Sequence, residues 1–296
     1  MMHRYLTAAI AMACLSASAQ AADTLAKIKS SNTVTMGVRE STAFSYALGT
    51  GKYTGFHYDV CTNIIEDLKK TLGVPGLQTR YQVVTSQNRI PLVSNGTVDL
   101  ECGATTNNAP RQKEVGFAMT TYVEEVRMAV RAGSGIESVK DLNGKTVVTT
   151  TGTTSVQLLR RKSRDADFKE VFGKDHAESF LLLEQGRADA FVIDASTLAA
   201  LISKSRDPAS LRIVGEPLSV EPIAIMIPKD DPAFKKAVDD SIRAQIASGT
   251  LLALWDKWFL KPIPPNQVTV NLPLSQATRD AWANPNDKPT EQYAQP

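Results

Sequence analysis

Arg39, Arg89 and Arg111 are the residues of this 296-residue chain whose type and placement could do the most chemistry. Each sits just past a strand-like apolar run or in a helix-opening turn nearby, where an open α/β sheet exposes its carboxyl edge and binds ligands. A guanidinium is the side chain best matched to a carboxylate, because its planar fork donates two parallel hydrogen bonds. Three of them in one cleft would suit a ligand with more than one carboxylate. Any one taken alone reads as an ordinary surface arginine.

Other polar groups fall at the same kind of position. Residues 149–155 read TTTGTTS, with Thr150 and Thr153 flanking a glycine turn between a strand and a helix. Free helix N-terminal amides there can hold an anion, although a plain N-cap after a glycine turn reads equally well. The stretch is too short for a phosphate loop and lacks its lysine. Residues 85–91 also run from a strand end into a helix start, presenting Ser86 beside Arg89. Residues 103–108 form a small polar turn that carries Ala104 and Thr106, and Arg111 follows it. Asp194 closes an apolar run, where it either meets a ligand ammonium or caps the helix after it. His176, taken by itself, reads as a surface residue.

The elements that must position these groups alternate in type. Thr33–Val38 reads as a strand, residues 58–72 as a helix, residues 78–84 as a strand, residues 90–95 as a helix and residues 98–102 as a third strand. That βαβαβ run is the mark of a parallel sheet covered by helices. A second run follows: a strand over Thr146–Thr150, helices over residues 154–163 and 178–185, a strand over 188–193, a helix over 195–203 and a strand over 211–214. Residues 123–131, extended and valine-rich, read as a crossing between two lobes. A strand over 223–228 and a helix over 232–248 come next. In that helix Phe234, Val238, Ile242 and Ile246 form one apolar stripe. If these elements return to the first lobe the chain crosses twice, which permits hinge closure over a ligand. The expected division is residues 22–127 with 224–296 in lobe 1 and 128–223 in lobe 2. From Leu274 onward the chain is polar and proline-containing, and reads as a poorly ordered or loosely docked strap.

The N-terminus sets the compartment. Arg4, an apolar stretch over residues 5–15 and Ala19-Gln20-Ala21 read as a secretory signal peptide spanning residues 1–21. The apolar stretch is too short to span a bilayer, and the residues before Cys14 match a lipoprotein processing site poorly. Cleavage removes one of the 33 basic residues and none of the 31 acidic ones, lowering the net charge from +2 to +1. A nearly neutral protein lacks the basic surface that nucleic acid or an anionic membrane calls for. The remaining chain of about 275 residues exceeds what one core usually supports, so two lobes are expected. Cys61 and Cys102 either form one disulfide or stay as buried thiols, and no Cys/His spacing resembles a metal site.

Taken jointly, several stretches resemble the periplasmic amino-acid-binding proteins of bacterial ABC uptake systems, and within them the glutamate/aspartate-binding branch. They are residues 55–60 (GFHYDV), 85–91 (TSQNRIP), 95–99 (NGTVD), 101–111, 142–145 (LNGK), 152–154 (GTT), 174–176 (KDH), 255–259 and 262–265. The resemblance covers nearly all of the mature chain. It implies a two-lobed type II binding-protein fold of the α/β class, with helices on both faces of two parallel-type sheets and two hinge strands. It further implies a monomeric periplasmic receptor without cofactor or metal, which takes L-glutamate or L-aspartate to an inner-membrane permease. By the same likeness Arg111 holds the α-carboxylate, helped by Thr106 and the Gly152-Thr153 turn. Asp194 and the Ala104 carbonyl take the α-ammonium, while Arg39, Ser86, Arg89 and His176 take the side-chain carboxylate. Thr150 is counted with this set. Ala104 stands where the branch tends to have serine, and His57 stands where the wider family has an acid; the latter reads as a surface change.

The residue inventory agrees: glutamate carries two carboxylates and one ammonium, and the candidates are three arginines, a histidine and an aspartate. Two other readings compete. One is a dehydratase-like periplasmic enzyme on the same fold, with Cys102, His176 and Asp194 as a nucleophilic set. The other is a sensory module that reports the ligand instead of feeding a transporter.

Overall fold

The computed structural model describes residues 23–40, 42–162 and 166–296. The signal-peptide reading, Cys14 and the last residue of the expected 154–163 helix lie outside these. In chain order the elements are α1 (Thr24–Ser31), β1 (Thr33–Val38), β2 (Tyr46–Gly49), β3 (Lys52–Thr54), α2 (Phe56–Leu72), β4 (Gln78–Val83), α3 (Arg89–Ser94), β5 (Leu100–Glu101), α4 (Ala109–Gln112) and β6 (Gly116–Arg131). They continue with β7 (Thr146–Thr150), α5 (Thr154–Lys162), β8 (Lys169–Gly173), α6 (His176–Glu184), β9 (Ala190–Asp194), α7 (Ala195–Lys204), β10 (Leu211–Ile227), α8 (Pro232–Ala247), α9 (Thr250–Trp255) and α10 (Gln276–Ala283).

Strands β4, β1 and β5 run parallel, as do β8, β7 and β9. Between these sets lie β10 and β6, antiparallel to each other, giving the order β4-β1-β5-β10-β6-β9-β7-β8. The two expected sheets are thus continuous through a central pair of long strands. The expected strands over 211–214 and 223–228 are the two ends of β10, with a register shift between Val214 and Ser219. The pair spans both lobes because β6 and β10 have 16 and 17 residues, about three times the usual strand length.

Apolar residues bury on each side of this pair. On one side Val60, Ile64 and Leu68 of α2 meet Phe234, Val238 and Ile242 of α8, and Trp255 stacks on Phe259 with ring centroids 3.9 Å apart. Ile246, expected to complete the α8 stripe, is only partly buried. On the other side Val147, Leu158, Leu159, Val192 and Phe191 pack under α5, α6 and α7. Helix α8 starts cleanly because Pro232 occupies its first turn and Asp231 accepts the Phe234 N–H at 2.9 Å.

Two expectations are corrected, and one left open is decided. His57 is no surface residue: it is fully buried, its Nδ1 lies 2.7 Å from the Gly103 carbonyl and its Nε2 2.7 Å from Thr121 Oγ1. Burial pushes its pKa down to about 4, so the ring is neutral. The tail beyond Leu274 is docked, not loose. Helix α10 buries Thr278 and Trp282, and their side chains bond the Val123 amide at 3.0 Å and the Thr121 carbonyl at 3.0 Å. One tryptophan with a satisfied N–H supplies what the polar composition hid. Finally, Cys61 and Cys102 are disulfide-bonded, with Cα atoms 6.4 Å apart.

Candidate ligand-binding site

The carboxyl edges of both parallel sets converge where the lobes meet. Arg39 follows β1, Ser86 and Arg89 follow β4, and Ala104 and Thr106 follow β5. From the other lobe come Thr150 at the end of β7, Thr153 before α5, His176 at the start of α6 and Asp194 at the end of β9. Arg111 lies in α4, whose first turn is capped by Asn108 Oδ1 on the Arg111 N–H at 3.0 Å. All ten expected residues are brought together.

The surface reading of the arginines fails: Arg39, Arg89 and Arg111 keep only 2%, 2% and 8% of their exposure. Arg39 Nη2 donates to Ser86 Oγ at 3.0 Å and lies 3.2 Å from His176 Nε2. Arg89 Nη1 donates to the Ala104 carbonyl at 2.9 Å and to Thr105 Oγ1 at 2.6 Å. Arg111 Nη1 donates to the Thr106 carbonyl at 2.9 Å, and its Nη2 to the Gly152 carbonyl at 3.3 Å in the opposite lobe. Arg39 Nη1 and Arg89 Nε are buried without a hydrogen-bond partner among the described residues. Buried donors of that kind are expensive unless something accepts from them.

Burial, and for Arg39 and Arg111 the charge of Arg89, lowers these guanidinium pKa values, to about 10 for Arg39 and about 9 for Arg111. All three remain cations at neutral pH. His176 is buried, not at the surface as read from sequence; burial and then Arg39 and Arg89 push its pKa well below the ordinary value. Its Nδ1 lies 3.0 Å from Thr150 Oγ1, which in turn lies 2.8 Å from Ser179 Oγ. Thr150 therefore holds the ring in place. Thr153 Oγ1 donates to the Thr150 carbonyl at 2.7 Å and closes the turn.

Asp194 precedes α7, yet its side chain makes no capping hydrogen bond. Its carboxyl is buried beside the arginines. Burial, and next Glu221, push its pKa up to about 7 against the pull of Arg89, Arg111 and Arg39.

Three acids escaped the sequence reading. Glu101 lies beneath the arginines, accepting from the Gly103 N–H at 3.1 Å and from Thr105 Oγ1 at 2.6 Å. Glu221, in mid-β10, accepts from Thr106 at 2.6 Å, Thr154 at 2.8 Å and Ser219 at 2.9 Å, so it ties the lobes together. Glu124 of β6 accepts from Ser196 at the start of α7, and burial beside Asp194 drives it toward the neutral acid. The only signal any of them gave was a charge inside an apolar strand, which a strand edge explains as well.

Gly152 shows how tightly the lobes meet. Its φ is +81°, and a Cβ there would lie 2.7 Å from the Ser86 backbone carbon and oxygen. The arrangement is a closed cleft between two α/β lobes on a pair of long hinge strands, lined by fixed cations and by Asp194, with Glu101, Glu124 and Glu221 close by. Its charges complement a small zwitterion with extra negative charge, which charge-assisted hydrogen bonds could hold.

Two lobes closed over such a cleft define a type II solute-binding protein. The chain belongs to the bacterial extracellular solute-binding proteins, family 3, whose model matches residues 34–261. It is 45% identical over 297 residues to the L-glutamate/L-aspartate-binding protein of Pseudomonas aeruginosa, covering 97% of each chain. It is 41% identical over 292 residues to the glutamate/aspartate import solute-binding protein of Escherichia coli K12, covering 95% of this chain and 97% of that one. Among solved structures it resembles an ancestral amino acid-binding protein, AncCDT-1, described as a precursor of cyclohexadienyl dehydratase. The TM-score is 0.69 at 26% identity, covering 80% of this chain and 99% of that chain.

Proposed function

We propose that this protein is the periplasmic receptor of an ABC importer for L-glutamate and L-aspartate, acting as a monomer that closes over one ligand and presents the closed form to its permease. The observation that carries this reading is the set of three buried arginines facing one buried aspartate across the lobe contact. Two carboxylates and one ammonium complement that set. The two relatives named for these amino acids support the choice of ligand.

In this reading Arg111, with Thr106 and the Gly152-Thr153 turn, anchors the α-carboxylate. Asp194 takes the α-ammonium, assisted by the Ala104 carbonyl, which Arg89 already orients. The free donors of Arg39 and Arg89, with the Ser86 hydroxyl, receive the side-chain carboxylate, while the neutral His176 ring accepts from Arg39 and steers it toward that group. Thr150 acts through His176. Ala104 offers no hydroxyl, so its backbone alone contributes. The hinge divides residues 22–127 and 224–296 from residues 128–223.

A receptor is favoured over an enzyme by the Cys61–Cys102 bond, because the thiol that a nucleophilic set would need is committed to a disulfide. Calorimetry on the purified protein with glutamate, aspartate, glutamine and asparagine tests the reading. Strong binding of the two acids with weak binding of the amides is expected, since buried cationic donors meet a neutral amide poorly. Equal affinity for glutamine and glutamate overturns it, and turnover of labelled glutamate would favour the enzyme.

A further inference from the structure

The segment after α10 is polar and mostly exposed, so burial of apolar surface is not what docks it. It bonds β6, where the Thr120 N–H donates to the Asn286 carbonyl at 2.9 Å, and α8, where Lys235 pairs with Asp287 at 3.0 Å, and its other bonds gather on two short pieces of backbone. The Thr290 N–H and Oγ1 both donate to the Asn107 carbonyl, at 2.9 and 3.0 Å. Asn107 Nδ2 donates to the Asp287 carbonyl at 2.8 Å, and Glu291 Oε2 accepts the Ala109 N–H at 2.9 Å. Farther on, Gln295 pairs its side-chain amide with Val220: Nε2 donates to the Val220 carbonyl at 2.9 Å and Oε1 accepts the Val220 N–H at 3.2 Å. The Pro296 carbonyl accepts from Lys162 Nζ of α5 at 3.0 Å.

Both contact points are neighbours of binding-site residues. Asn107 follows Thr106, and Val220 precedes Glu221, which are joined by the 2.6 Å bond from the Thr106 hydroxyl to the Glu221 carboxylate. Glu221 also receives Thr154 from the other lobe. We propose that residues 284–296 are a positioning clasp for the binding site: they hold the Thr106–Arg111 turn and the Glu221 strand from outside, and so prolong the closed, ligand-bound form. The inference rests on the receptor reading for its affinity readout alone. Exposed hydrogen bonds are individually modest. Their effect is on the geometry of Arg111, whose Nη1 closes the same turn through the Thr106 carbonyl.

Two full-length variants test this, Thr290→Val/Glu291→Ala at the turn and Gln295→Ala at the hinge strand. For each, stopped-flow release of glutamate should speed up by roughly tenfold, the scale expected for losing one or two hydrogen bonds that hold the closed form. Glu291→Gln, which keeps an acceptor for Ala109, should restore the slow rate. Amide exchange in ligand-free protein supplies the second readout. The N–H groups of Asn107 and Arg111, which bond the Pro222 carbonyl and Asn108 Oδ1 and not the clasp, should exchange faster in the turn variant. Unchanged release together with unchanged exchange overturns the clasp. If the unaltered protein binds neither glutamate nor aspartate, the ligand assignment fails, and amide exchange alone decides the clasp.

Discussion

Arg39 Nη2 lies 3.2 Å from His176 Nε2, the two side chains reaching each other from opposite lobes. A guanidinium only donates, so Nε2 must carry the lone pair and Nδ1 the proton, which then points to Thr150 Oγ1 at 3.0 Å. Closure therefore depends on a neutral imidazole. Burial and the two nearby arginines, Arg39 first, keep it neutral by lowering its pKa well below the ordinary value. Ring resonances of His176 in ligand-free protein should not titrate between pH 8 and about pH 6, where an ordinary histidine is half protonated near 6.5. A midpoint near 6.5 would contradict the closed geometry.

The arginines divide their labour. Arg111→Ala should remove binding of every amino acid tried, because the α-carboxylate is common to all of them. Arg89→Ala should weaken glutamate by roughly tenfold to a hundredfold, the scale of one charge-assisted hydrogen bond, and leave the weak binding of glutamine little changed. Parallel titrations of both variants with both ligands check the assignment. Equal losses for glutamine and glutamate in Arg89→Ala would sink it.

Asp194 should make binding pH-dependent. Its pKa is pushed up to about 7 by burial and Glu221, so the ligand-free site holds a proton there in mildly acidic solution. An α-ammonium needs the carboxylate, and binding must release that proton. Affinity should fall as pH drops below about 7, by up to tenfold per unit, and should flatten above it. Calorimetry at pH 6 in buffers of different ionisation heat measures the released proton. Asp194→Asn should bind weakly and without that slope.

Closure needs Gly152. Its φ of +81° disfavours any side chain, and an added Cβ would strike the Ser86 carbonyl at 2.7 Å. The left-handed backbone alone costs about 1 kcal/mol for alanine. Gly152→Ala should therefore lose at least about fivefold in glutamate affinity. Small-angle scattering with ligand should show the variant more open than the unaltered protein.

The Cys61–Cys102 bond ties α2 to the strand that leads into the Gly103–Thr106 turn, across 41 residues of sequence. Closing a loop of that length removes unfolded-state entropy worth about 4 kcal/mol on the chain-entropy estimate. Urea unfolding of the Cys61→Ala/Cys102→Ala variant should show a loss of that order. An unchanged midpoint would mean that the reduced chain retains compensating structure.

Alternation of strands and helices, and the placement of Arg39, Arg89, Arg111 and Asp194 at strand ends or in the helix-opening turns nearby, could be read directly from residue order. These features are local: periodicity and turn chemistry reside in neighbouring residues. The tail was misjudged because composition averages over a segment, while docking depends on Trp282 reaching one carbonyl. The surface reading of His57, and of His176 taken by itself, fails for a related reason. A histidine looks polar in any sequence, and only its surroundings decide whether it is buried and neutral.

By itself the sequence determined the alternating α/β class, the two-lobed organisation and the inventory of charges a dicarboxylate would need. Tertiary structure alone decided that Glu101, Glu124 and Glu221 stand among the arginines, that Cys61 meets Cys102, and that Gly152 of one lobe touches Ser86 of the other. Each of these joins residues distant along the chain. Hydrophobic patterning selects which faces are buried, but the pairing of polar groups across a closed cleft is set by three-dimensional packing, where each buried donor or charge must find its partner.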